Sequence, residues 1–183
     1  MEIRIHEFLR GSRANGPGIR NVVWFQGCTI GCPGCFNPQT HAPDGGTVFS
    51  TEAVCSHLLD PGAPCDGITI SGGEPFQQPE GLLELLQMLK AQHTPPVLVF
   101  SGYSFEIIQK TPAYSGCLPY IDALICGPYR ADTPPVYTRF CSSGNQELII
   151  RSDRFKPEDF SDLPLQEWII GSDGITAVSG IIS

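Results

Sequence analysis

Short apolar runs separated by turn residues predict a series of buried strands along this chain. Residues 21–25 combine β-branched and aromatic side chains between glycine-containing segments, which is typical of such a strand. Similar runs predict four further strands, over 67–71, 97–100, 123–126 and 147–150. Because these runs contain few alternating polar positions, we expect a sheet that is covered on both faces.

Helical patterns lie between several of these strands. Four leucines follow the spacing i, i+3, i+4, i+7 of one apolar helix face: Leu82, Leu85, Leu86 and Leu89. Pro79 precedes them and suits the first turn of a helix, and shorter helices are predicted over 52–59 and 105–110. The succession of strand, helix and strand predicts an α/β fold with a parallel sheet and right-handed crossovers. The pattern alone does not choose between an open sheet and a partial barrel.

The C-terminal residues predict a hairpin. Apolar stretches over 168–170 and 175–178 flank Ser172-Asp173-Gly174, and Asp-Gly is a common hairpin turn. Two interpretations stay open for this hairpin: it packs over an edge of the sheet, or it docks a partner.

Composition restricts the class of protein. The 183 residues are enough for one domain, and 41% hydrophobic with 16% charged residues is ordinary for a soluble globular chain. A net charge of −8 without any basic run argues against a nucleic-acid surface. No apolar stretch is long enough to span a membrane, and no secretory signal is visible. Eight cysteines in such a chain indicate free thiols in a reducing compartment, so we expect a cytoplasmic protein.

Three of the cysteines stand close together as C-x3-C-x2-C: Cys28, Cys32 and Cys35. Thiolates with this spacing in one loop can hold three irons of a 4Fe-4S cube and leave the fourth iron open to a small molecule. Zinc is the alternative, but a closed zinc site needs a second ligand pair. Only His41 follows, at an irregular spacing, so the pattern favours the cluster. The other cysteines read as buried packing residues: Cys55, Cys65, Cys117, Cys126 and Cys141.

The cluster loop and its flanks resemble the radical S-adenosylmethionine (SAM) enzymes. Gly16-Pro17-Gly18-Ile19-Arg20 lies upstream of Trp24, then Gly27 opens the cysteine loop and Asn37 follows it. This order is similar to the signature of the radical-activating enzymes in that superfamily, above all the activating proteins of anaerobic ribonucleotide reductases.

Four later segments extend the resemblance, so that it covers roughly residues 3–150 in the expected order. They are Ser71-Gly72-Gly73-Glu74-Pro75, Ser101-Gly102-Tyr103, Cys126-Gly127-Pro128-Tyr129 and Ser142-Ser143-Gly144-Asn145-Gln146. Several of these segments directly follow a predicted strand, and sites in α/β folds form at the carboxyl ends of strands. The motif positions and the predicted topology therefore agree.

The resemblance implies a partial (β/α)6 barrel formed by a single domain over 1–183, with its core at about 3–150 and an extension over 151–183. It implies a 4Fe-4S cluster on the three cysteines and a bound SAM whose amino group lies near Gly72, Gly73 and Glu74. The expected cofactor-binding residues are Gly34, Cys35, Phe36, Gly72, Gly73, Glu74, Ser101, Tyr103, Asn145 and Gln146. No catalytic side chain is expected beyond the cluster and the SAM pocket.

The activity that the resemblance implies is cleavage of SAM to a 5′-deoxyadenosyl radical, which installs a glycyl radical on a partner such as anaerobic ribonucleotide reductase. A flavodoxin or a ferredoxin would supply the electron. Two alternatives stay open: direct action on a small molecule or peptide, and a non-catalytic iron–sulfur module. The Ser-Gly-Gly-Glu-Pro segment counts against the module, because a structural cluster needs no SAM pocket.

The sequence departs from the family pattern at three positions. Trp24 replaces the usual Phe, Gly144 stands where Ser is more frequent, and Cys126 stands where Asp is usual. Because Cys126 follows an apolar strand, we expect it near the mouth of the site. Either the chemistry there differs from that of the reductase activases, or Asp122 or Asp132 replaces the carboxylate, or the thiol donates a hydrogen atom.

Overall fold

A computed structural model describes residues 1–60, 62, 65–92, 94–170 and 176–180 of the chain. Within these ranges seven strands form one sheet in the order β3-β1-β2-β4-β5-β6-β7. The strands are β1 (Glu2–Ser12), β2 (Arg20–Phe25), β3 (Thr47–Ser50), β4 (Gly67–Gly72), β5 (Val97–Ser101), β6 (Ala123–Cys126) and β7 (Glu147–Ile150). The five strands predicted from the apolar runs are confirmed, at nearly the predicted bounds.

The centre of the sheet is parallel. β2, β4, β5 and β6 pair in parallel, whereas β1, β3 and β7 join antiparallel to their neighbours. The α/β fold class is confirmed, and the described sheet stays open between β3 and β7, as a partial barrel does.

The helices pack on one face of the sheet. They are α1 (Thr51–Leu58), α2 (Pro79–Ala91), α3 (Phe105–Lys110) and α4 (Pro112–Ser115). The Ser50 side chain accepts a hydrogen bond from the Ala53 backbone N–H at 3.2 Å and so caps the N-terminus of α1. The four leucines of α2 are at most 1% exposed and belong to the main core, where each contributes about 2 kcal/mol through burial. None of the helices in the described ranges has the length and apolar character needed to cross a bilayer.

Two strands were absent from the sequence prediction. β1 places Ile3 and Ile5 in the core and has a register shift between Ile5 and Glu7, while β3 is a short strand that pairs with β1. Both strands depend on pairing with partners far along the chain, and β3 is mostly exposed. Their own residues therefore carry a weak local signal.

A separate two-stranded hairpin is formed by β8 (Gln166–Ile170) and β9 (Thr176–Gly180), which pair antiparallel. The predicted turn Ser172-Asp173-Gly174 lies outside the described residues. Glu167 accepts hydrogen bonds from the Ser12 hydroxyl and from the Arg13 backbone N–H, the latter at 3.0 Å. The Asn15 side chain donates to Ser179 Oγ at 2.7 Å. The hairpin therefore packs against the loop between β1 and β2 and does not extend the sheet.

Arg20, from the Gly-Pro-Gly-Ile-Arg segment, extends its side chain through the interior beside β4. Its side chain is fully buried and donates to Thr69 Oγ1 at 2.6 Å and to the carbonyls of Pro17 and Pro96, each at 3.0 Å. Burial lowers its pKa to about 10, which leaves it charged at neutral pH. A Cβ atom on Gly67 would lie 2.0 Å from Arg20 Nη1, so this glycine is needed for the guanidinium to fit. Arg20 thus ties the start of β2 to β4 and to the segment before β5.

Replacing Arg20 with Met keeps most of the aliphatic stem and removes all the donors. We expect Arg20→Met to lower the free energy of unfolding by at least about 3 kcal/mol, because several buried acceptors lose their partners. Urea denaturation under anaerobic, reducing conditions measures this.

Arg10→Met is the matched control. Arg10 forms a half-exposed ion pair with Asp60 at 2.7 Å, so its loss should cost no more than about 1 kcal/mol. Equal decreases in the free energy of unfolding for the two variants would show that the buried hydrogen bonds of Arg20 do not stabilise the sheet.

Candidate functional site

The three predicted cluster cysteines lie in the loop that follows β2. Its first residues are held by backbone hydrogen bonds: Gly27 N–H donates to the Thr40 carbonyl at 2.7 Å, and Cys28 N–H to the His41 carbonyl at 3.1 Å. These bonds join the two ends of the loop and so fix the position from which its thiols project.

These cysteines line a cavity of about 120 Å³, here called the cluster cavity. Its walls come from the carboxyl ends of β2, β4, β5 and β6, as expected for a site in an α/β fold. The predicted residues that line it are Cys28, Cys32, Cys35, Phe36, Gly72, Gly73, Ser101 and Gln146. The other four predicted residues are not among the residues that line it: Gly34, Glu74, Tyr103 and Asn145.

The three thiols of the loop line one cavity. Three thiolates of a 4Fe-4S cube bind three separate irons and surround a space, whereas a zinc ion needs its ligands to converge at about 2.3 Å from one point. Among the described residues, no three Cys, His, Asp or Glu side chains converge on a single ion position. His41 lines the same cavity without completing such a site.

Backbone N–H groups also act on two of the sulfurs. Burial raises the pKa of the Cys28 and Cys32 thiols, and backbone N–H groups oppose that rise: those of Ile30 and Gly31 at Cys28, and that of Tyr129 at Cys32. Such N–H···S contacts stabilise thiolates and set the potential of a bound cluster. The donor set therefore fits an iron–sulfur cluster.

The glycine turn after β4 packs directly against the start of the cluster loop. Gly73 N–H donates to the Phe25 carbonyl at 2.8 Å, and Glu74 N–H to the Gly27 carbonyl at 2.9 Å. A Cβ atom would lie 2.3 Å from the Phe25 nitrogen at Gly72, and 2.3 Å from the Gly27 oxygen at Gly73. Only glycine permits this approach, which brings the turn to the cavity.

Glu74 is turned away from the cavity. Its carboxylate is fully buried and accepts hydrogen bonds from Phe76 N–H at 3.0 Å, Gly102 N–H at 2.7 Å and the Ser101 hydroxyl at 3.0 Å. Burial raises its pKa to about 7, although these hydrogen bonds favour the charged form. The side chain joins the ends of β4 and β5, and a direct contact with SAM stays a prediction.

Tyr103 supports the cluster loop from outside. Its hydroxyl accepts a hydrogen bond from Gln77 Nε2 at 2.9 Å, and its ring stacks on Tyr114 with centroids 5.4 Å apart. Gln77 in turn bonds Thr29 twice: it donates to Thr29 Oγ1 at 2.7 Å and accepts from Thr29 N–H at 3.0 Å. Sequence reasoning missed Gln77, because a glutamine in a polar turn has no distinguishing pattern.

Asn145 and Gln146 hold the loop that follows β6. Asn145 Nδ2 donates to the Pro128 carbonyl at 2.7 Å, and Gln146 Nε2 donates to the Gly127 carbonyl at 3.1 Å. The ring of Tyr129 in this loop packs on Phe36 of the cluster loop, with centroids 4.5 Å apart. The two amides therefore position a wall of the cavity.

The expectation that Cys126 lies near the mouth of the site was wrong, whereas its interpretation as a buried packing residue is confirmed. The side chain is fully buried in the main core, not at the mouth, and burial raises its pKa to about 12, so the thiol is neutral. Successive side chains of a strand point to opposite faces, and Cys126 points toward the helices.

Asp122 lies at the other end of β6, where it accepts a hydrogen bond from Val97 N–H at 2.8 Å. Asp132 pairs with Arg130 at the surface, at 2.9 Å. Neither carboxylate lines the cluster cavity.

A second cavity of about 180 Å³, here called the lateral cavity, adjoins the first. Both cavities are lined by Phe36, Asn37, Ser71, Phe100 and Ser142. The remaining walls come from β1, from the loop after it, from the β8–β9 hairpin and from the side chains of Trp24, Gln39 and Phe140. Of these remaining walls, the sequence motifs mark only Trp24.

Comparison with known proteins gives consistent matches. The family described as a 4Fe-4S single cluster domain matches residues 14–149. The anaerobic ribonucleoside-triphosphate reductase-activating protein of Enterobacteria phage T4 is 32% identical over 145 residues, covering 76% of this chain and 88% of that protein. The corresponding protein of Pasteurella multocida is 30% identical over 148 residues, covering 77% and 92%.

Two further matches are partial. The pyruvate formate-lyase-activating enzyme of Clostridium pasteurianum is 37% identical over 116 residues, which is 59% of this chain and 49% of that enzyme, so the match spans about half the length of that relative. The crystal structure of QueE from Escherichia coli superposes with a TM-score of 0.47 at 19% identity, covering 56% of this chain and 53% of QueE.

The buried carboxyl of Glu74 predicts a pH dependence of stability. Between its ordinary pKa of 4.5 and the folded value of about 7, the folded protein retains a proton that the unfolded chain has released. The free energy of unfolding must therefore fall as pH rises through this window, by about 3 kcal/mol for this group. Glu74→Gln removes this contribution. Relative to the parent, we expect the variant to gain stability from about pH 5 to about pH 8 in urea denaturation.

Glu106→Gln is the control, since that exposed carboxylate pairs with Lys110 on the same helix. Its free energy of unfolding should stay within about 0.5 kcal/mol of the parental value over the same range, as for other exposed helix pairs. A flat difference for Glu74→Gln as well would mean that Glu74 is already ionised in the folded protein at low pH.

Proposed function

We propose that this chain installs a glycyl radical on a partner enzyme. The chain belongs to the 4Fe-4S single cluster domain family and is a radical SAM enzyme of the activating type. The observation that carries the proposal is the cluster cavity, in which three thiols and the Gly72-Gly73 turn meet in one space. A non-catalytic cluster would need the thiols but not the glycine turn.

We assign the cluster to Cys28, Cys32 and Cys35. When bound, it supplies the electron that splits SAM into methionine and a 5′-deoxyadenosyl radical, which takes a hydrogen atom from the acceptor. The chain's own residues shape the place where this happens. Gly72 and Gly73 line the cavity with backbone against which the SAM amino group is proposed to bind. Phe36 and Tyr129 pack on each other beside the thiols and cover part of the cavity.

The other predicted SAM residues divide into two roles. Ser101 and Gln146 line the cavity and are proposed to contact SAM. Three residues are proposed to position the walls: Glu74, Tyr103 and Asn145. The polar side-chain groups of each form hydrogen bonds to other residues of the protein.

The relatives suggest the class of partner. They are activating proteins of anaerobic ribonucleoside-triphosphate reductase and of pyruvate formate-lyase. We propose the reductase as the acceptor, since the match covers 88% of the phage reductase activator but 49% of the clostridial lyase activator. A flavodoxin or ferredoxin donor, a cytoplasmic location and a single domain over 1–183 remain predictions.

Cysteine replacement tests the cluster assignment. We expect Cys28→Ala, Cys32→Ala and Cys35→Ala each to reduce the iron content of the anaerobically reconstituted protein well below about four per chain, because each removes one ligand. SAM cleavage, measured as 5′-deoxyadenosine, should fall to background. Cys65→Ala is the control, since this half-buried thiol lies outside the cluster cavity and should leave both quantities at the parental level.

Full iron content in any of the three variants would remove that residue from the ligand set, and tetrahedral zinc in the anaerobically purified parent would reject the cluster. The acceptor is tested by mixing the reduced, reconstituted protein and SAM with purified anaerobic ribonucleoside-triphosphate reductase. A glycyl-radical EPR signal that requires all three components is the expected result. SAM cleavage without any such signal would reject the reductase as the acceptor.

A further inference from the structure

His6 lies on β1 at the point where the pairing of that strand is irregular. The register of β1 against β2 shifts between Ile5 and Glu7, so His6 is the extra residue of a β-bulge. A bulge re-aims the side chains around it and is frequent next to active sites. Here the half-buried imidazole faces the side chain of Gln26, the residue that directly follows β2 and precedes the cluster loop.

Gln26 joins the two ends of the cluster loop. It stands two residues before Cys28, and its Nε2 donates to the carbonyls of Gln39 at 3.2 Å and Ala42 at 2.8 Å, which lie beyond the last cysteine. The side chain is 2% exposed. A Cβ atom on Gly45 would lie 2.7 Å from Nε2, so the returning chain closes around the amide. Gln26 therefore holds both ends of the loop that carries the thiols.

The hydrogen bonds of Gln26 also settle what His6 contributes. Two carbonyl acceptors require the amide nitrogen on their side, which leaves Oε1 as the atom 3.0 Å from His6 Nδ1. An amide oxygen only accepts, so Nδ1 carries the proton and donates to it. The last torsion of a glutamine side chain is broad unless its amide is held. His6 holds the amide on the side away from the loop.

We propose that His6 is a positioning residue for the cluster: it orients Gln26 through Nδ1, and Gln26 holds the cysteine loop in the conformation that binds the cluster. The inference rests on the assignment of the cluster to the three cysteines and adds two residues that support the ligands from behind. Removal of such supporting contacts typically weakens metal binding about 10- to 100-fold.

Asparagine separates this role from the others that a histidine can have. Its amide nitrogen lies about as far from Cα as Nδ1 does, so His6→Asn can still donate to Gln26, whereas His6→Phe keeps a ring and loses the donor. Neither variant has a nitrogen at the position of Nε2. The pair therefore tests the bond to Gln26 apart from any contact that His6 makes in the lateral cavity, which it also lines.

The experiment measures how fast the anaerobically reconstituted protein loses its cluster to excess EDTA, followed by the visible absorbance of the cluster. We expect the rate to rise at least about tenfold in His6→Phe, because Gln26 is no longer held, and to stay within about twofold of the parental rate in His6→Asn. Ile3→Val controls for stability alone. It shortens a buried side chain of the same strand and should leave the rate at the parental value.

A parental rate in His6→Phe overturns the inference, as does an equal rise in His6→Asn or in Ile3→Val. Failure of a folded variant to take up the cluster counts as a rise. If His6→Phe does not fold, Gln26→Met decides, because it keeps the length of the side chain and removes its hydrogen bonds: a rise of at least about tenfold supports the inference, and a parental rate overturns it. A parent that never holds about four irons contradicts the cluster assignment itself, and the inference fails with it.

Discussion

The site depends on the close approach of two backbone segments. The turn after β4 passes so near the start of the cluster loop that a side chain at Gly72 or Gly73 would collide with Phe25 or Gly27. This contact joins the two elements by hydrogen bonds between their backbones, and it places the glycine turn in the same cavity as the cysteines. Without it, the thiols and the expected SAM-binding backbone would be two separate features of the surface.

Two buried ionisable groups support this arrangement in different ways. Arg20 has no carboxylate within ion-pairing distance among the described residues and is satisfied by carbonyl and hydroxyl oxygens, which suits a cation that spans several strands. Glu74 receives donors from two backbone amides and one hydroxyl at the ends of β4 and β5. Burial acts against both charges. Hydrogen bonds to neighbouring strands offset that cost, and in doing so they fix the loops that carry the site.

The ends of the chain give the site its second part. β1 and the β8–β9 hairpin meet at the loop over Ser12–Asn15 and enclose the lateral cavity beside the cluster cavity.

The sequence by itself determined the central strands, the apolar face of α2 and the cluster cysteines, because each is encoded within a few neighbouring residues. Local spacing specifies helix periodicity, and ligands in one loop need no other part of the chain. Only the tertiary structure decided that Cys126 faces the core, that Glu74 and Asn145 turn away from the cavity, and that Gln77 supports the cluster loop. It also decided that β1 and β3 join the sheet and that the hairpin lines a cavity. Each of these features depends on which distant residue becomes a neighbour, and burial and hydrogen-bond satisfaction between distant segments settle that choice, not local propensity.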